Sequence, residues 1–269
     1  MLLRTTSLLA FVIYLALLSA CAILGSSKER AASITKLGAG SPSRDFLAQR
    51  SAILVTGEKL SPIRILPGQQ KFSLEGHFSG IGSATAVDER GYFLTSAHCV
   101  GKDKTFVVFR RKDGIRLEPA RVVWRAKVEN GDIDLAIIHV PTRLDFFFDW
   151  GNEPARGLVV YGIGLDNAGV GKPILGFFAG RVSGTSRQTN VPHYSDVFST
   201  APTHPGDSGG PLVGSDGKLY AVTRGGVGVG VSPRFAVRLP FMARAVACRP
   251  DLVWLSGVIN EDFANQHEM

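Results

Sequence analysis

Seven residues, Pro205-Gly206-Asp207-Ser208-Gly209-Gly210-Pro211, constrain this chain more than any others. A serine boxed between glycines needs a physical reason. Glycine tolerates backbone angles closed to other residues and lets a second group approach the main chain closely. Such a stretch can build a sharp turn that exposes the Ser208 hydroxyl while backbone N–H groups point into the space beside it. A plain glycine-rich loop has the same composition. The reading as a reactive hydroxyl therefore depends on whether the rest of the chain offers a base for Ser208 and an acid to hold that base.

The background to the stretch is β-rich. The 31 glycines are spread along 269 residues with β-branched residues around them, which favours many short strands and tight turns over helices. Short apolar runs begin at Ala52–Val55 and Ile63–Leu66. A hairpin follows: Gly82–Val87, a turn at Asp88-Glu89-Arg90-Gly91, and a return strand Tyr92–Thr95. Further strands are expected at Thr105–Phe109, Ala120–Trp124 and Ile133–Val140. After a Pro- and Gly-containing linker over 141–157, a second set is expected at Leu158–Gly162, Gly176–Val182, Asp196–Ser199, Pro211–Val213, Leu219–Val222 and Phe235–Val237. Around Pro240 the apolar spacing changes, and Phe241-Met242, Ala245-Val246 and Leu252-Val253 are spaced for a terminal helix, with Pro240 in its first turn. Pro250 would break or end it, and the tail from Glu261 looks frayed.

Acyl transfer by serine needs a nucleophile, a base to take its proton and a group that fixes the tautomer of the base. The chain offers His98, Asp134 and Ser208 in that order. The histidine sits in Thr95-Ser96-Ala97-His98-Cys99, the acid in Asp134-Leu135-Ala136-Ile137-Ile138, and the serine in Gly206-Asp207-Ser208-Gly209-Gly210-Pro211-Leu212. These three motifs, in this order, resemble those of trypsin-like serine proteases with the chymotrypsin fold. The resemblance covers roughly residues 50–245, and the spacing is closer to compact bacterial Deg/HtrA-type proteases, here without a PDZ module. It implies an all-β fold of two six-stranded antiparallel barrels, about 49–142 and 157–240 within a protease domain of 49–245, followed by a short helix and tail over 241–269.

The resemblance also implies roles. Ser208 would be the nucleophile, His98 the general base and Asp134 its orienting acid, with the backbone N–H groups of Gly206 and Ser208 as the oxyanion hole. Asp132, two residues earlier on the same strand face, is the rival acid. Pro202 would lie at the base of the substrate pocket, with Thr203 and His204 beside it and Thr223, Arg224 and Gly225 in the wall. No acid stands at Pro202, which argues against a preference for Arg or Lys. Arg224, Thr203 and His204 would suit an acidic or small side chain. His77, His139, His193 and His267 lack motif partners and read as structural or surface groups. In trypsin-like zymogens a freed N-terminus pairs with the aspartate before the serine. Asp207 is present, but no Arg-Ile-Val-Gly-Gly activation site is, so Asp207 must find another partner or some internal cut must occur; the expectation is that no zymogen cleavage is needed. The expected function is that of a serine endopeptidase acting on protein or peptide substrates without a cofactor. The alternative on the same fold is a catalytically silent or chaperone-like envelope binding protein.

The N-terminus speaks to location. Arg4 followed by the apolar run Ser7–Leu18 has the form of a secretory signal over residues 1–20. Leu18-Ser19-Ala20-Cys21 resembles a bacterial lipobox, which implies cleavage before Cys21 and diacylglycerol on its thiol. The resemblance places the chain on the periplasmic face of the outer membrane, since Ala22 matches the sorting default. An uncleaved transmembrane anchor or ordinary secretion are the competing readings. Residues 21–48 read as a flexible tether. With Cys21 set aside, Cys99 and Cys248 remain as a possible pair or as two thiols, Cys99 expected small and buried. Neither shows metal-ligand spacing. The formal net charge of +7 comes from scattered Lys and Arg, and nothing reads nucleic-acid bases.

Overall fold

Tyr92-Phe93-Leu94-Thr95 shows how the strands are organised. All four residues are buried. Successive side chains of a strand point to opposite faces. Phe93 enters one apolar cluster with Leu54, Ala84, Val107 and Ile138. Tyr92 and Leu94 enter another with Ile137, Ile163, Val213 and Val222. A strand of this kind is core on both sides, which explains the uninterrupted apolar runs at Tyr92–Leu94 and Leu135–Ile138.

A computed structural model describes residues 40–60, 76–126, 134–166, 174–187, 193–228 and 243–267. Its elements are helix α1 (Arg44–Arg50), strands β1 (Ser51–Leu60), β2 (Gly76–Asp88) and β3 (Tyr92–Thr95), and a 3-10 turn at Ala97–Cys99. Strands β4 (Lys104–Arg111), β5 (Gly114–Arg125) and β6 (Ala136–His139) follow. The second half holds β7 (Val159–Asp166), β8 (Ile174–Arg187), β9 (Tyr194–Pro202), β10 (Pro211–Gly214), β11 (Leu219–Gly228), β12 (Ala243–Pro250) and helix α2 (Leu252–His267). The strands close two antiparallel six-stranded barrels, in the orders β1-β2-β3-β6-β5-β4 and β10-β11-β12-β9-β8-β7. Each has its own interior; Val160, Phe178, Val197, Leu212 and Ala247 fill the second. The cluster around Tyr92 and Leu94 draws residues from both barrels and seals them together, and includes Leu47 of α1 and Leu255 and Ile259 of α2.

The expected fold class is the one observed, and three local expectations are corrected. Residues 243–250 are not helical. They form β12, paired to both β11 and β9, and close the second barrel ten residues beyond the expected boundary at 240. Val246, Ala247, Cys248 and Arg249 are all buried, so the strand shows neither the alternation nor the polar gaps that would have betrayed it. The helix begins after Pro250 instead. Asp251 caps it, its carboxylate accepting the N–H groups of Val253 and Trp254 at 2.9 Å each. The tail expected to fray is helical to His267. At the other end, the last residues of the expected tether form α1, where Ser43 Oγ accepts the Phe46 N–H. The expected strands at Ile63–Leu66 and Phe235–Val237 lie outside the described residues, as do residues 1–39.

Candidate active site

Asp134 stands just before β6, and His98 lies in the 3-10 turn after β3, one strand over in the first barrel. Pairing of Thr95 with Ala136 brings the two together. The Asp134 carboxylate then holds His98 twice. Oδ1 accepts the His98 backbone N–H at 2.9 Å, and Oδ2 lies 2.5 Å from the imidazole Nδ1. The backbone contact fixes the main chain and the side-chain contact fixes the ring. The imidazole pKa rises to about 10, chiefly because of the hydrogen bond to Asp134 and secondarily through Cys99, with burial opposing both. Asp132, the rival acid, lies outside the described residues.

Ser208 is carried by the other barrel, in the turn between β9 and β10. His98, Cys99, Gly206 and Ser208 line one open cleft of about 470 Å³. No hydrogen bond joins the Ser208 and His98 side chains among the described residues, and such bonds commonly tighten only in the substrate complex.

The backbone of the serine turn can be accounted for group by group. The Asp207 N–H donates to His204 O at 3.0 Å, Gly209 N–H to Thr223 O at 2.6 Å, and Gly210 N–H to Asp207 O at 2.8 Å. Among the described residues, the N–H groups of Gly206 and Ser208 have no acceptor in the protein. These are the two donors expected to form an oxyanion hole. Two glycines make the turn feasible. Gly206 has φ +105°, and Gly209 has φ +90° with Ser83 O only 1.9 Å from where a Cβ would stand.

Asp207 is fully buried, and its Oδ2 accepts the His204 N–H at 2.7 Å. One partner of the carboxylate is thus a backbone N–H of its own turn. Cys99 differs from expectation: it is only half-buried, a free thiol on the cleft with Sγ 3.9 Å from Ser208 O. Cys248 is free and buried in β12, where burial pushes its thiol up to about 12.

More than half of the sequence, residues 82–222, matches the trypsin-like peptidase domain family. The chain belongs to that family. Among solved structures it is similar to the serine endoprotease from Yersinia pestis, with a TM-score of 0.54 and 19% identity over 81% of this chain and 64% of that one. It is also similar to the HtrA-type protease AlgW with a tripeptide, with a TM-score of 0.53 and 22% identity over 80% of this chain and 62% of that one. The chain therefore spans less than two thirds of the length of either. No curated protein matches its sequence.

In this trypsin-like chain the residues expected around the substrate pocket fall on the two flanks of the serine turn. Pro202 ends β9, and Thr203 and His204 lead into the turn. Thr223, Arg224 and Gly225 lie on β11 at a bulge against β12. Thr223 is fully buried and holds the turn from below, its N–H donating to Gly210 O at 2.8 Å. The Arg224 guanidinium is bonded to Asp196 on β9 at 3.0 Å, and both side chains are largely buried. Sequence reasoning missed Asp196, which has no motif around it and reaches Arg224 only through the β9–β12–β11 order.

The remaining histidines are consistent with structural roles where they are described. His139 is buried against Tyr92, with ring centroids 4.5 Å apart, and burial lowers its pKa. His193 stacks on Trp254 at 5.7 Å. The side chains of His77 and His267 lie outside the described residues. Sequence reasoning also missed Ser83 and Thr85 on β2, which bond to the serine turn from the opposite barrel.

Proposed function

We propose that the chain is a serine endopeptidase that cleaves protein or peptide substrates through His98, Asp134 and Ser208. The observation that carries this reading is the double grip of Asp134 on His98, in the same cleft as Ser208 and two N–H groups without a protein acceptor among the described residues. Ser208 Oγ attacks the scissile carbonyl carbon and its proton passes to His98 Nε2. The carbonyl oxygen, now negative, is received by the Gly206 and Ser208 N–H groups. His98 returns the proton to the leaving amine as the C–N bond breaks. Water then attacks the acyl-enzyme with the same imidazole as base. Asp134 keeps Nδ1 as the donor nitrogen and stabilises the imidazolium. The neutral residues at the pocket base, together with the engagement of Arg224 by Asp196, favour a small or polar P1 side chain over a basic one.

A fluorophosphonate probe tests the chemistry. The intact chain should be labelled on Ser208 and should cleave unfolded casein. Ser208→Ala should take no label and lose activity on the order of 10⁶-fold. An unlabelled wild-type chain would overturn the reading in favour of a silent binding protein.

The location is part of the same proposal. The signal-like run before Cys21 supports a lipid-anchored enzyme of the bacterial cell envelope, on the periplasmic face of the outer membrane. Feeding cells an alkynyl fatty acid should label the chain, and Cys21→Ser should abolish both the label and membrane recovery.

A further inference from the structure

Strand β2 belongs to the first barrel, yet it determines the shape of the serine turn in the second. Ser83 is 1% exposed and every polar atom it owns is engaged. Its N–H donates to Ser208 O at 2.8 Å. Its hydroxyl donates to Gly206 O at 2.7 Å and accepts the Leu165 N–H at 3.0 Å. Its carbonyl accepts the Thr95 hydroxyl at 2.8 Å. Two residues on, the Thr85 hydroxyl donates to Gly209 O at 2.8 Å. Three carbonyls of the turn, those of Gly206, Ser208 and Gly209, are therefore held by one strand of the opposite barrel.

The Gly206 carbonyl has the most chemical consequence. The peptide between Gly206 and Asp207 lies between the two peptides that carry the free N–H groups of Gly206 and Ser208. Gly206 has positive φ and no side chain, so its own conformation offers little resistance to rotation of the adjoining peptides. The other donor to its carbonyl is the Leu165 N–H, at the longer distance of 3.3 Å. Without the Ser83 hydroxyl, that N–H would also lose its 3.0 Å acceptor. Electrostatic stabilisation of an oxyanion depends on donors already aimed before charge develops.

We propose that Ser83 is a positioning residue for the oxyanion hole: its hydroxyl fixes the Gly206 peptide and so aims the Gly206 and Ser208 N–H groups at the carbonyl oxygen of the substrate. This rests on the peptidase reading above. Ser83 touches no reacting atom; it acts through Gly206. Its effect belongs to the transition state, so it should appear in kcat and in the rate of phosphonylation, and not in KM. A purely structural serine would reduce the amount of folded enzyme and leave the turnover of each remaining site unchanged.

The test compares wild type, Ser83→Ala and Ser83→Cys, each as the full chain. A fluorophosphonate taken to its endpoint counts competent sites, and its initial rate reads the oxyanion hole. Quenched-fluorescent casein gives kcat per counted site and KM. The expected result for Ser83→Ala is a loss of about 10- to 100-fold in both kcat per site and phosphonylation rate, with KM within twofold. Ser83→Cys, close in volume and a weak donor, should fall between the two. Should Ser83→Ala fail to fold, Ser83→Cys is read by the same two criteria. Turnover per site within twofold of wild type, or a loss confined to KM, overturns the assignment of Ser83. A wild-type chain that neither cleaves casein nor takes the probe overturns the peptidase reading itself.

Discussion

His98 is described by one carboxylate and one pH dependence. The Asp134 hydrogen bond raises its pKa to about 10 in the folded chain, from an ordinary value near 6.5. A raised pKa stabilises the fold while the imidazole is charged. That contribution is fully present below about pH 6.5 and is lost as pH rises through the folded value. Activity runs the other way, because the base must be neutral to accept the Ser208 proton. The kcat/KM profile should climb well into the alkaline range rather than level off near neutrality. Asp134→Asn removes the charge that holds the proton. The variant should lose roughly 10⁴-fold in kcat, as the wrong tautomer becomes accessible, and its residual activity should rise with a midpoint at lower pH. Assays of both proteins across pH 5 to 11 decide the matter; coincident midpoints would show that Asp134 does not govern the basicity of His98. Asp134 and His98 were both legible in the sequence because each sits in a short local pattern. Ser83 was not. Its partners Gly206 and Ser208 are more than a hundred residues away, and nothing around a serine on a small-residue strand marks it as a clamp.

Helix α2 is the element whose position the sequence placed least well. It buries Leu255 and Ile259, with Trp254 packed beside them, but the strand before it is buried and shows no period of its own. What the helix does became visible only in three dimensions: it ties the barrels together. Trp254 packs edge-on against Trp124 of β5 at 4.9 Å and against Tyr194 of β9 at 5.2 Å. Asp262 accepts two hydrogen bonds from Arg121, at 2.8 and 2.7 Å, and one from the Tyr92 hydroxyl at 2.8 Å. Asp251→Ala should cost about 1 kcal/mol through loss of the cap. Leu255→Ala should cost about 2–5 kcal/mol, since Leu255 is 3% exposed and lies in the shared core. Urea unfolding of each variant measures both. Burial alone would raise the pKa of Asp262, but the hydrogen bonds from Arg121 and Tyr92 outweigh it and hold it below its ordinary value. The stability it contributes is therefore present above about pH 4 and is lost as pH falls through the depressed value. Asp262→Asn should be less stable at neutral pH and should lose less on acidification than wild type.

At the scale of the whole molecule, the short strands between turns marked a β-rich chain, and the two-barrel architecture was legible only through the resemblance of the three motifs to trypsin-like proteases. The mode of activation was not, since it depends on what a single buried carboxylate touches. The serine turn is braced from three directions. β2 holds its carbonyls from the first barrel, Thr223 of β11 holds Gly209 and Gly210 within the second, and the Asp207 carboxylate closes the turn on the His204 N–H. None of these supports involves a chain terminus. A freed N-terminus inserted beside Asp207 would meet the His204 contact, and the first described element, α1, packs Leu47 into the core and stacks Arg50 on Phe46. The enzyme should therefore be competent without proteolytic activation. Chain purified in detergent, its mass showing no cut inside residues 22–50, should label with fluorophosphonate at once and cleave casein without a lag. A lag that shortens with added protease, accompanied by a new N-terminus inside residues 22–50, would show that the turn seen here still waits for a switch. Asp207→Asn separates the two cases further. The amide can still accept the His204 N–H through its oxygen, so a self-braced turn should tolerate it with a loss of about tenfold or less, whereas a turn built on an ion pair with a new N-terminus would lose the greater part of its activity.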